Sequence, residues 1–189
     1  MPTKPKKNQP ETPNEVQGKD LFQTPKYAVD LLIPFIPKNI TNIWECAAGD
    51  GKISDRLKRN GYIVSITDIR YDDNNGNYNF ISDNPISLHR NTAIITNPPY
   101  SLKRKFYERC REYGVPFALL IPCDYCMWVI EAIRRDGAEK IIPTRRINYI
   151  TPSGRGSGSQ FHSMWFTWGF NLGKSEIFLD LTKEMMYNI

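Results

Sequence analysis

The chain has 189 residues, 24% of them charged, with a formal net charge of +5 and a pI near 9.0. That length fills one domain core and leaves little for a second. No apolar run approaches the ~18 residues needed to cross a bilayer, and the first residues lack a signal-peptide h-region, so a cytoplasmic protein with no membrane contact is expected. The four cysteines (Cys46, Cys110, Cys123 and Cys126) lack disulfide-framework spacing, which fits a reducing compartment. Cys123-Asp124-Tyr125-Cys126 stands alone, with only His89 and His162 elsewhere in the chain. It provides neither a zinc ligand set nor a thioredoxin-like unit, so no metal is expected and the thiols are read as core fillers.

Residues 1–19 are rich in Pro, Lys, Asn, Gln and Glu, and are expected to form a disordered tail ahead of one domain over 20–189. Thr24 is placed to cap a helix that starts at Pro25 and carries Tyr27, Leu31, Leu32 and Phe35 on one face. Asn42 to Ala47 reads as a strand running into the small-residue turn Ala48-Gly49-Asp50-Gly51, followed by a helix over about Lys52 to Asn60. Tyr62 to Thr67 is a second strand ending at Asp68, and Tyr78 to Ile81 a short third ending at Ser82-Asp83. The apolar Thr92 to Thr96 strand then delivers Asn97-Pro98-Pro99-Tyr100 into a loop. A basic helix over Leu102 to Tyr113, a strand over Phe117 to Ile121 and a helix over Tyr125 to Arg135 follow. Extended residues over Lys140 to Ile150, a Gly/Ser/Pro loop over Thr151 to Ser159, and strands over Ser163 to Phe170 and Glu176 to Leu181 complete the chain. The alternation predicts one α/β domain with a largely parallel sheet that ends in an antiparallel hairpin.

Chemistry gathers at two strand ends. In Glu45-Cys46-Ala47-Ala48-Gly49-Asp50-Gly51, small residues before a helix N-terminus let backbone amides approach a ligand closely, and Asp68 ends the next strand where a ribose-binding carboxylate is expected. The third glycine of a dinucleotide fingerprint is missing, and no Walker phosphate loop occurs. At the other strand end, the two prolines stiffen a loop whose carbonyls, with the Asn97 amide and the Tyr100 ring, suit a planar amino group.

Together these features resemble the S-adenosylmethionine-dependent amino methyltransferases, and most specifically the N6-adenine DNA methyltransferases. The resemblance covers roughly Leu21 to Phe170 and implies a Rossmann-like class I methyltransferase fold: a mostly parallel seven-stranded sheet with the C-terminal hairpin. Phe22-Gln23-Thr24-Pro25 resembles the family segment that closes over the methionine part of the cofactor. The implied cofactor residues are Phe22, Thr24, Pro25, Glu45, Ala47, Gly49, Gly51, Asp68, Asp83 and Asn97, with Asp83 toward the adenine. Arg146-Ile147-Asn148-Tyr149-Ile150 and Phe161 to Phe166 are similar to segments of small, phage-type adenine methyltransferases, a setting that includes restriction-modification. The interval between the glycine turn and the Asn97 loop is short, as is the stretch after the last core strand, so no separate target-recognition domain is expected.

The resemblance implies that Asn97 and the Pro98 carbonyl accept the hydrogens of an adenine N6 amine, with Tyr100 stacked on a base flipped out of DNA. Pro99 and Phe161 would line the base site, and Trp165 is read as core. Basic residues cluster at Lys103, Arg104, Lys105, Arg109 and Arg111, and again at Arg134, Arg135, Lys140, Arg145, Arg146 and Arg155. Of these, Lys103, Arg146 and Arg155 are the candidate phosphate contacts. The alternatives are methylation of adenine in RNA, methylation of a protein glutamine, and a catalytically silent nucleic-acid-binding relative.

Overall fold

The computed structural model describes residues 22–72, 76–151, 154–155 and 161–187. The expected N-terminal tail and residues 152–153 and 156–160 of the Gly/Ser loop lie outside the described residues. The elements are α1 (Lys26–Asp30) with a 3-10 turn (Ile33–Phe35), β1 (Asn42–Glu45), α2 (Lys52–Arg59), β2 (Ile63–Ile66) and β3 (Thr92–Thr96). A 3-10 turn (Tyr100–Leu102) leads into α3 (Lys103–Tyr113), followed by β4 (Phe117–Pro122) and α4 (Met127–Glu131), which runs on as a π-helical turn (Ala132–Asp136). Then come β5 (Glu139–Pro143), the small hairpin β6 (Ile150–Thr151) and β7 (Gly154–Arg155), β8 (Ser163–Trp168), β9 (Glu176–Leu179) and α5 (Lys183–Tyr187).

The main sheet has seven strands in the order β2-β1-β3-β4-β8-β5-β9. Every pairing is parallel except the two made by β8, which runs against both β4 and β5. One reversed strand among parallel ones makes the mostly parallel seven-stranded α/β sheet that the sequence led us to expect. Because side chains alternate across each strand, the sheet feeds two cores. Ala93, Ile95, Ala118, Leu120 and Trp165 face α1 and α2, while Ile94, Phe117, Leu119, Ile121 and Phe166 face α3 and α4. Trp165 is fully buried and donates its indole N–H to the Ala28 carbonyl at 2.8 Å, so it belongs to the core as expected.

Four expectations are corrected. Tyr78 to Ile81 forms no strand: the Asn79 side chain accepts the Ile81 and Ser82 N–H groups at 3.1 and 3.3 Å, and Asp83 accepts the Asn79 N–H at 2.7 Å. These local bonds compete with a sheet ladder and instead turn Phe80 inward against Trp44 and Phe106. Of the extended residues expected over Lys140 to Ile150, those up to Pro143 belong to β5, and Ile147 and Tyr149 enter the core from a loop. The arms of the C-terminal hairpin, β8 and β9, are antiparallel, but β5 lies between them, so they do not pair with each other. Finally, α1 starts one residue later than expected, with Pro25 at the cap position and no side-chain cap; Thr24 is buried instead.

Candidate cofactor and acceptor-base site

The connection from β1 to β2 runs to one side of β1, and the chain then crosses back to place β3 on the other side. Ligands of open α/β sheets bind beyond the strand carboxyl ends at such a reversal. The glycine turn after β1 and the Asn97 loop after β3 therefore leave adjacent strands, and the Thr96 hydroxyl reaches the Ala47 carbonyl at 3.5 Å across them.

Two glycines with positive φ shape the turn, Gly49 at 56° and Gly51 at 73°, and Gly51 caps α2. Gly51 N–H closes onto the Ala48 carbonyl at 2.8 Å. Glu45 lies beneath the turn, 1% exposed, and accepts the Ser54 N–H at 2.8 Å, which ties the first turn of α2 to the end of β1. Burial pushes its carboxyl up to about 8, so near neutrality it is largely protonated. In this structure Glu45 acts as a clamp beneath the turn.

Asp68 is 5% exposed and fully engaged. Its Oδ2 accepts the Gly49 N–H at 2.7 Å, and its Oδ1 accepts the Arg70 N–H at 2.9 Å. The Arg70 guanidinium adds Nε to Oδ1 at 3.0 Å and Nη2 to Oδ2 at 3.5 Å. The Tyr71 hydroxyl donates to the Gly49 carbonyl at 2.9 Å. A Cβ built on Gly49 would lie 3.0 Å from Arg70 Nη2 and 3.3 Å from Gln23 Nε2, so these two side chains roof the glycine.

At the end of β3, Pro98 is buried and Asn97 half-buried. Asn97 Nδ2 donates to the Phe22 carbonyl at 3.2 Å, while its Oδ1 is buried with no hydrogen-bond partner. The segment supplying that carbonyl is held from both sides. Gln23 exchanges backbone hydrogen bonds with Ile150 at 2.9 and 3.0 Å, and its side chain accepts the Asp50 N–H at 3.3 Å. Phe22, Tyr100, Tyr149 and Phe161 form one ring cluster, in which Tyr100 meets Phe161 edge-on at 5.1 Å and 85°. Tyr149 is pinned by donating its hydroxyl to Ser163 at 2.8 Å.

The structure thus brings together Phe22, Asn97, Pro98, Tyr100 and Phe161 around one loop, and Glu45, Ala47, Gly49, Gly51 and Asp68 around the other. Asp83 is exposed and its carboxylate is folded back onto the Asn79 N–H at 2.7 Å. Lys103 pairs with Asp124, whose carboxyl, despite burial, is held below its usual range by hydrogen bonds from Cys126 and Lys103. Arg146 is exposed in the loop after β5, and Arg155 stands in β7 opposite Ile150. Most of the other basic residues make internal contacts. Arg104 and Arg109 pair with Glu108 and Glu112, Arg111 stacks 4.1 Å over Trp168, and Lys140 is fully buried beside Glu176.

The thiols divide: Cys46 and Cys110 are buried core residues, whereas Cys126 is exposed at the cap of α4, because the chain leaves the core after Pro122. Among the described residues, no group of three or more His, Cys, Asp or Glu could hold a metal ion. Nor, among them, is any helix long and apolar enough to cross a membrane. Sequence reasoning missed Arg70 and Tyr149 as site residues. Arg70 stands two positions after Asp68, and that closeness was the one available signal.

No family model matches the sequence, and no curated protein matches it. Among solved structures, the chain is similar to the crystal structure of the 23S rRNA methyltransferase ErmE, with 12% identity and a TM-score of 0.48 over 77% of this chain and 68% of that one. A likeness that distant leaves the functional reading to the residues of the site.

Proposed function

We propose that the chain is an S-adenosylmethionine-dependent methyltransferase acting on the exocyclic N6 amine of adenine in DNA. One observation carries the reading: the buried, unpartnered Oδ1 of Asn97, in the same loop as Tyr100. A buried acceptor without a donor is costly, and a ligand N–H removes that cost. The residues present fit the cofactor. Gly49 leaves its face free of a side chain of its own, and the Asp68 carboxylate suits a ribose diol, with Phe22 to Pro25 as the strap above. When bound, S-adenosylmethionine would supply an electrophilic sulfonium methyl.

The chain's own residues do the rest. Asn97 Oδ1 and the Pro98 carbonyl accept the amine hydrogens, draw the nitrogen lone pair out of ring conjugation and offset positive charge developing on that nitrogen. No side chain has to remove a proton before attack. Tyr100 stacks on the base, which is worth roughly 1–3 kcal/mol and offsets part of the cost of extruding it from a duplex. Phe161 and Tyr149 hold the Tyr100 ring from its edge and side.

The test is transfer of tritiated methyl from S-adenosylmethionine to DNA and, in parallel, to RNA, since the solved structure named above is an rRNA methyltransferase. Nucleoside mass spectrometry identifies the product. N6-methyldeoxyadenosine is the expected product; N6-methyladenosine from RNA alone moves the acceptor to RNA; label in neither refutes nucleic-acid methylation.

A further inference from the structure

Asp68 offers four lone-pair positions, and each has a donor. Two donors, Gly49 N–H and Arg70 N–H, are backbone groups fixed by the fold. The other two, Arg70 Nε on Oδ1 and Arg70 Nη2 on Oδ2, belong to one side chain that is 28% exposed. A vicinal diol places two O–H donors side by side, and the guanidinium presents two N–H donors in the same manner. The same Nη2 lies 3.0 Å from where a Cβ of Gly49 would be, in the space that the absence of a side chain leaves over the turn.

We infer that the Arg70 guanidinium occupies the ribose-diol seat on Asp68, and that adenosine-cofactor binding requires Arg70 to leave it. This rests on the reading of the site as one for an adenosine-containing cofactor. Departure of the guanidinium frees one lone pair on each oxygen, while Gly49 N–H and Arg70 N–H keep the carboxylate in place. Arg70 therefore sets cofactor affinity by competition: the binding-competent population is the fraction with Arg70 swung out, and the apparent affinity falls by that fraction. The short side chain of Asp68, 5% exposed, has no second seat to offer, so the two ligands exclude each other.

The experiment titrates S-adenosylhomocysteine into the wild-type chain and into Arg70→Met by calorimetry. In parallel, the Arg70 Nε–H resonance is followed by NMR in the wild type. Arg70→Met is expected to bind on the order of tenfold more tightly, and the Nε–H signal is expected to shift and gain solvent exchange as ligand is added. Wild-type binding that Arg70→Met leaves unchanged or weakens, with an Nε–H signal insensitive to ligand, overturns the displacement and leaves the cofactor reading standing. No binding by the wild type overturns that reading and the displacement with it. If Arg70→Met does not fold, the wild-type NMR titration alone decides.

Discussion

Asn97 donates its side-chain N–H to the Phe22 carbonyl, and that bond orients the amide. With Nδ2 committed to a carbonyl, which only accepts, Oδ1 must face the other way, buried and unpartnered. Asn97→Ala removes the acceptor together with the bond to Phe22, and is expected to lower methyl transfer by on the order of 100-fold or more, with a much smaller loss of S-adenosylhomocysteine affinity by calorimetry. Asn97→Asp is the sharper variant. A carboxylate cannot donate to Phe22, so two acceptors would face each other and the strap would loosen; both transfer and cofactor affinity should fall. Full turnover of Asn97→Ala, measured by tritiated-methyl transfer, removes Asn97 from the reaction.

The edge-on contact between Phe161 and Tyr100 predicts coupling between the two rings. Phe161→Ala should raise the KM for a DNA acceptor several-fold with a smaller effect on kcat, because Tyr100 loses a support worth about 1 kcal/mol. Tyr100→Ala should be the more damaging change, and the double variant should be little worse than Tyr100→Ala alone. Strictly additive effects in steady-state kinetics would show that Phe161 does not act through Tyr100.

Glu45 makes stability depend on pH with a definite sign. Its folded carboxyl titrates near 8 through burial, well above an ordinary glutamate, so between roughly pH 4.5 and 8 the folded chain holds a proton that the unfolded chain has lost. Stability through this group therefore falls as pH rises across that window and levels off above it. Glu45→Gln keeps an acceptor for the Ser54 N–H and does not titrate. Its stability advantage over the wild type should grow from pH 5 to pH 8.5, by a few kcal/mol at most, in urea melts. A constant difference across that range excludes a protonated Glu45.

Lys140 has no exposed surface, sits 3.4 Å over the Tyr125 ring and reaches Glu176 at 3.3 Å. Breaking such a pair from the carboxylate side strands the buried cation, whereas replacing the lysine with an apolar chain of similar length strands nothing comparable. Glu176→Ala is expected to destabilise by about 2–3 kcal/mol and Lys140→Met by clearly less, as measured by denaturant midpoints. The reverse order would place the stabilisation in the lysine itself.

Local chemistry made much of this molecule legible in its sequence. The small residues between β1 and α2, the Asp68 at the end of β2 and the prolines after β3 all mark strand ends through turn geometry, which the chain carries in a few consecutive residues. What depended on distant partners was not legible. The Asn97–Phe22 bond joins residues 75 positions apart. Tyr149 lies in a stretch whose residues read as extended and β-branched, but β5 ends at Pro143 and Ile147 and Tyr149 dock in the core from the loop beyond it. Arg70 reads as an ordinary basic residue after a strand until Gly49 is folded against it. The basic clusters misled for the same reason: Lys140 and Arg111 are cations in the sequence but packing elements in the fold.

The position of β8 also bears on how the chain is assembled during synthesis. Its six residues pair along all of β4, from Phe117 with Trp168 to Pro122 with Ser163, yet they emerge from the ribosome after β5 and the β6–β7 hairpin. The β2-β1-β3-β4 half of the sheet, with both chemical loops on it, can therefore zip up while β5 still has no neighbour to join. Until β8 arrives, β4 presents an open edge, and only then can β5 and, after it, β9 be added. The half that carries both loops can form first, and the later part of the chain then closes its exposed flank and brings Tyr149 and Phe161 to Tyr100.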